Sequence, residues 1–131
     1  MAELPTAGGL VGRVLELEVG FQRGAALEFF IGYEGNRPGG SAELSRGYYR
    51  RALDLSGGRR ASVHVTLTEA VTIREQNLAE FRSLIAAALA VDPDAAPDLR
   101  LVNTLAQRRA RWLASRIPDL FPDAADGEVP Q

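Results

Sequence analysis

Few side chains in this sequence have the type and spacing that chemistry needs. His64 is the single histidine. No Asp, Glu or second histidine stands at metal-ligand spacing to it, and Glu69 falls on a different helical phase. Beside an apolar stretch, a lone histidine reads as a packed or surface side chain rather than a base or ligand. Glu16, Glu18, Asp54 and Glu69 are scattered and read as solvated faces. No serine lies in Gly-x-Ser-x-Gly, and no general base accompanies one. Gly57-Gly58-Arg59-Arg60 lacks both the Lys-Ser/Thr ending and the preceding strand of a phosphate loop. With no cysteine in the chain, disulfides and thiolate metal sites are excluded. The expectation is a non-enzymatic protein with no metal and no cofactor.

Binding chemistry is better represented. All fifteen basic residues are arginine. Arg108, Arg109, Arg111 and Arg116 share one helical stretch, which leaves two readings open. They can lie over the neighbouring hairpin and pair with acids such as Glu80. Alternatively, one of them is buried with Asn103 and fixes the last helix by hydrogen bonds to backbone carbonyls. Phe29, Phe30, Tyr33, Tyr48 and Tyr49 concentrate around one hairpin. Their spacing is mostly that of core residues, yet five rings cannot all point inward, so one or two line a groove or a subunit contact. The candidate binding residues are Phe30, Tyr33, Arg37, Tyr48, Asn103 and Arg108. Ala52, Ala88, Pro93 and Trp112 are assigned structural roles, Trp112 as a core anchor.

The elements that position these residues are helical by pattern. Residues 1–9, with Pro5 and Gly8-Gly9, read as a flexible leader. Leu10 to Val19 reads as a short helix, and Ala25 to Glu34 as a second. Asn36 to Gly40 (Asn-Arg-Pro-Gly-Gly) is the strongest turn signal. Ser41 is placed to cap the next helix, with Leu44, Tyr48, Ala52 and Leu55 as its buried stripe and Gly57-Gly58 as its stop. Ala61 to Arg74 is ambiguous, since Val63, Val65 and Leu67 alternate like a strand. With no second strand to pair with, helix is the reading. Asn77 caps a helix running to Ala90, lined by Leu78, Phe81, Leu84, Ile85 and Ala88. Asp92 and Pro93 stop it. A long last helix is expected over about Asp98 to Ile117. Val102, Ala106, Ala110, Leu113 and Ile117 form its stripe, Leu101, Leu105 and Trp112 widen it, and Pro118 breaks it. Residues 122–131 are acidic and read as a disordered tail.

Three helix ends repeat a pattern: Val14-Leu15-Glu16-Leu17-Glu18, Ala52-Leu53-Asp54-Leu55-Ser56 and Ala88-Leu89-Ala90-Val91-Asp92, at offsets of 38 and 36 residues. Such a period points to an all-α fold of tetratricopeptide-like antiparallel hairpins, an α-α superhelix over residues 10–121 closed by the long C-terminal helix. The small residue lets neighbouring helices approach, and the breaker five residues later starts the next hairpin. A net charge of −2 gives no overall field for nucleic acid or an anionic membrane. No apolar run reaches the roughly 18 residues of a membrane span. No signal peptide is visible at Met-Ala-Glu-Leu-Pro.

At Ala52 to Ser62 and Leu101 to Phe121 the chain resembles the TRAP transporter T-component (TatT) family. The shared features are helix ends of the kind Ala-Leu-x-Leu-Ser-Gly-Gly and Ala-Leu-x-Val-Asp-Pro-Asp. A longer motif is carried here by Asn103, Ala106, Gln107, Arg108, Arg109, Ala110, Trp112 and Leu113. The resemblance implies a tetratricopeptide-like helical protein of the periplasm, often lipid-anchored. It also implies a homotrimer that docks the periplasmic substrate-binding component of a TRAP transporter, or an apolar small ligand. The alternative is a tetratricopeptide adaptor that binds a peptide or protein partner in its groove. The family's anchoring cysteine is missing from this chain, and Pro118 stands where the family tends to have an acidic residue.

Overall fold

The structure, a computed structural model, describes residues 24–123. Helix α1 covers residues 24–36 of the described chain. It is followed by α2 (Ala42–Ser56), α3 (Ala61–Leu67), α4 (Leu78–Ala90), α5 (Arg100–Ser115) and α6 (Ile117–Leu120). One π-helical turn, Thr68–Thr72, extends α3, and one 3-10 turn, Pro97–Leu99, leads into α5. No strand occurs among the described residues, so the helical reading of 61–74 holds. Consecutive helices pack as hairpins, α1 on α2 and α3 on α4, with α5 laid across α3 and α4. The expected helix at Leu10–Val19, the leader 1–9 and the first repeat unit lie outside the described residues. Of the tail 122–131, only Pro122 and Asp123 are described, and both are helical.

Local chemistry sets the helix ends. The Ser41 hydroxyl accepts the Leu44 N–H at 3.0 Å, and the Asn77 side-chain carbonyl accepts that of Glu80 at 3.0 Å. Each satisfies a donor that the helix itself cannot. At the far end of α2, Gly57 adopts φ 65° and Gly58 φ 76°, a left-handed conformation that side chains resist. Their N–H groups return to Asp54 and Leu53, closing the last turn.

Helix α3 is the spine. Val63, Leu67 and Val71 join Leu27, Ile31 and Ala52 in one core cluster. Ala61 and Val65 join Phe81, Ile85, Ala88, Ala106, Ala110 and Leu113 in another. Apolar residues two apart stand about 200° apart on a helix, so Ala61 and Val65 face one core while Val63 and Leu67 face the other, which is why the sequence also alternates like a strand. In its π-helical extension the Thr68 and Thr72 hydroxyls donate to the carbonyls of His64 and Thr68, at 2.7 and 2.6 Å. Gly35 permits a close crossing here, since a Cβ would lie 2.6 Å from both the Cβ and the carbonyl oxygen of Ala70.

Several expected core positions are corrected. In α2 the stripe Leu44, Tyr48, Ala52, Leu55 is rotated. Leu44 and Leu55 are exposed, Tyr48 is half-buried, and Ser45 is fully buried with its hydroxyl donating to the Ile31 carbonyl at 2.7 Å. Helix α1 packs so close that only a small side chain fits between the backbones. In α5, Leu101, Val102, Leu105 and Trp112 are exposed, and the core anchor role expected of Trp112 fails. The last helix is also shorter than expected and ends at Ser115. The break at Arg116, just before Pro118, starts the α6 turn and carries Phe121 back into the core. There it lies edge-on to Phe81, with centroids 4.8 Å apart.

Candidate functional site

The α1–α2 hairpin brings four aromatic rings together at the surface. Phe29, Phe30 and Tyr33 follow one another along α1, and Tyr48 reaches them from α2. Phe30 stacks on Tyr48 at 5.3 Å between centroids, and Phe29 stacks on Tyr33 at 5.9 Å. The rings stay largely in water: Phe29 is 64 % exposed and Tyr33 46 %. A patch of contiguous exposed aromatic rings is uncommon on a surface that touches only solvent. Arginines frame it. The Arg37 guanidinium stands 5.1 Å from the Tyr33 centroid, and that of Arg51 stands 5.6 Å from Tyr48. Arg37 is held by Glu34 at 3.0 Å, and the Glu34 carboxylate also accepts the Ser41 N–H. A shallow groove beside the rings is lined by Glu28, Gly32, Asn36 and Arg37.

Four of the six candidate binding residues, Phe30, Tyr33, Arg37 and Tyr48, therefore share one face. Phe29, one of the five rings but not among those candidates, belongs to the same face and is its most exposed ring. The other two lie elsewhere on α5. Arg108 is exposed on the outer side of that helix. Asn103 is fully buried and serves the fold: its side-chain carbonyl accepts the Ala61 N–H at 2.8 Å, and its amide donates to the Arg59 carbonyl at 2.8 Å. That bond caps α3, whose own N-cap residue Arg60 offers no side-chain cap. One turn further on, Gln107 donates to the carbonyls of Ala88 and Val91 at 3.1 and 2.6 Å, capping α4. Two amides spaced i, i+4 on α5 thus satisfy the open end of the α3–α4 hairpin. The reading of Asn103 as a lock on backbone groups is correct, but its partner is Gln107 rather than an arginine. The acid expected for the α5 arginines is also different, for Glu69 binds Arg109 while Glu80 binds Arg46.

His64 is buried between α2 and α3 with its Nδ1 2.8 Å from the Tyr49 hydroxyl. Burial lowers its pKa from the ordinary histidine value. Burial, and secondarily the charge of Glu80, raises that of Tyr49. A neutral imidazole whose Nδ1 accepts a hydrogen bond from the phenolic O–H fits both shifts. Nearby, Arg46 bridges Glu80 and Glu75 at 2.6 and 2.7 Å, and these bonds push its guanidinium further above its usual range. Among the described residues, no group of three His, Cys, Asp or Glu side chains is placed to hold a metal ion.

Residues 1–121 match the family described as TRAP transporter T-component. The chain belongs to that family. T-components are accessory parts of TRAP transporters. An uncharacterized protein of Treponema pallidum (strain Nichols) is 28% identical over 117 residues. The match covers 87% of this chain and 36% of that protein, so the chain spans about a third of its relative's length. No solved structure matches the chain. Within this T-component chain, the motif of α5 divides by face. Asn103, Ala106, Gln107, Ala110 and Leu113 are buried, while Arg108, Arg109 and Trp112 are exposed.

Proposed function

We propose that this chain is a non-enzymatic docking module of a TRAP transporter. Its aromatic face on α1 and α2 receives the periplasmic substrate-binding component, or an apolar small ligand handed over by it. Family membership supports the transporter, and one observation supports the face: Phe29, Phe30, Tyr33 and Tyr48 pack ring to ring at the surface with guanidinium groups over two of them. Aromatic rings and arginines are the side chains that dominate binding energy at protein interfaces. The proposal includes a homotrimer in the periplasm, built on tetratricopeptide-like repeats.

Titration calorimetry against the cognate substrate-binding component tests it. Phe30→Ala with Tyr33→Ala is expected to weaken binding by at least roughly tenfold, as loss of interface aromatics does. Unchanged affinity in that double variant removes the face from the proposal. Light scattering should give the mass of three chains, and a monomer at high concentration removes the trimer.

A further inference from the structure

Helix α5 carries a second apolar face, turned away from the core. At about 100° per residue, Leu101, Leu105 and Trp112 all lie within about 20° of the direction opposite Asn103. They are 70 %, 51 % and 49 % exposed. Arg108 flanks this pole on one side, Arg109 and Arg116 on the other. The guanidinium groups of Arg109 and Arg116 stand 4.6 and 5.8 Å from the centroid of the Trp112 ring. The helix Arg100–Ser115 contains no acidic residue. The arginines do have acidic neighbours on other elements: Glu69 pairs with Arg109, Asp94 with Arg100 and Asp119 with Arg116.

We propose that this face seats the domain on an anionic phospholipid surface. Trp112, Leu101 and Leu105 enter the boundary between headgroups and acyl chains, and the flanking arginines meet lipid phosphates. Charge selects the occupant. A helix whose only charges are guanidinium groups, with an indole and two leucines at its pole, matches an interface that is anionic outside and apolar beneath. Indole rings favour that depth, and arginine stems lie along apolar surface while their heads reach phosphate. The apolar pole is a narrow stripe: from Leu101 to Trp112 it runs about 16 Å along one helix. A lipid surface asks for no complementary shape. The three ion pairs are solvent-exposed, and such pairs exchange a carboxylate for a phosphate at little cost.

The chain has one tryptophan, and it lies in this face, so its emission reports the contact directly. The full chain is titrated with vesicles of equal parts phosphatidylglycerol and phosphatidylcholine, and with pure phosphatidylcholine. The expected result is a blue shift and protection from acrylamide with the anionic vesicles only. Leu101→Ser with Leu105→Ser should abolish the shift. Arg108→Ala, an exposed position flanking the face, should weaken partitioning roughly fivefold. Three results overturn the proposal: no shift with either vesicle, a shift that persists in the double serine variant, or a shift that grows with protein concentration without vesicles. The last would give this face to a second copy of the chain.

Discussion

The two faces of α5 have opposite logic. The inner face is made of alanines, two amides and one leucine, and nearly all of it is buried. The outer face holds two leucines, the tryptophan and two of the helix's four arginines, and it is open to water. Size and hydropathy therefore fail to sort burial within this helix. Ala106 and Ala110 are buried because α5 packs close to α3 and α4, where a larger side chain would not fit. Asn103 and Gln107 are buried because helix ends need partners, and these amides supply both donor and acceptor. Trp112 is excluded by position, since it stands across the helix from the groove its neighbours fill.

Adjacent residues give the sharpest way to break this contrast. Leu113→Ala should cost about 3 kcal/mol, the usual range for emptying a buried leucine site. Trp112→Ala, one residue earlier, should cost less than about 1 kcal/mol. Urea denaturation followed by circular dichroism measures both, and equal costs would mean that the helix is rotated from its observed setting.

A polar version of the test comes next. Asn103→Ala should cost about 2 kcal/mol, because it strands the buried Ala61 N–H and the Arg59 carbonyl. Chemical denaturation measures it, and Asn103→Asp, which loses the donor and buries a carboxylate against the Arg59 carbonyl, should cost at least as much.

His64 extends the comparison to a titrating group. Its folded-state pKa is lowered, so the unfolded chain binds more protons at mildly acidic pH. Its contribution to stability is complete above about pH 6.5 and is lost as pH falls below that, until the folded-state value is reached. The slope is at most about 1.4 kcal/mol per pH unit. Denaturation midpoints between mildly acidic and neutral pH should flatten in His64→Gln; an unchanged slope would assign the acid sensitivity elsewhere. The smallest effect belongs to the outer face. Arg109→Ala removes the exposed pair with Glu69 and should cost under about 0.5 kcal/mol in thermal melts.

The helices and their ends were legible in the sequence because their causes are local. Ser41, Asn77, Gly57 and Pro93 act within four residues of themselves, and the two described Ala-Leu ends close their helices on buried Ala52 and Ala88. Four of the candidate binding residues could be grouped, because rings close in sequence on one helix and the next must meet across a short turn. Phe29 was the miss. Its spacing resembles that of a core residue, and only the setting of α1 on α2 decides which side it faces. Phe121 was missed for a similar reason: a ring beyond a proline break carries no helical phase, and only the turn at Arg116 brings it to Phe81.

By itself the sequence determined an all-helical chain, the caps and stops of α2 and α4, and the family to which it belongs. The tertiary structure alone decided which face of each helix is buried. Periodicity gives the angle between side chains on a helix but not the rotation of that helix against its neighbours. That rotation is set by contacts between residues far apart in the chain, such as Asn103 with Arg59 and Ala61, which hold α5 with its small and amide side inward.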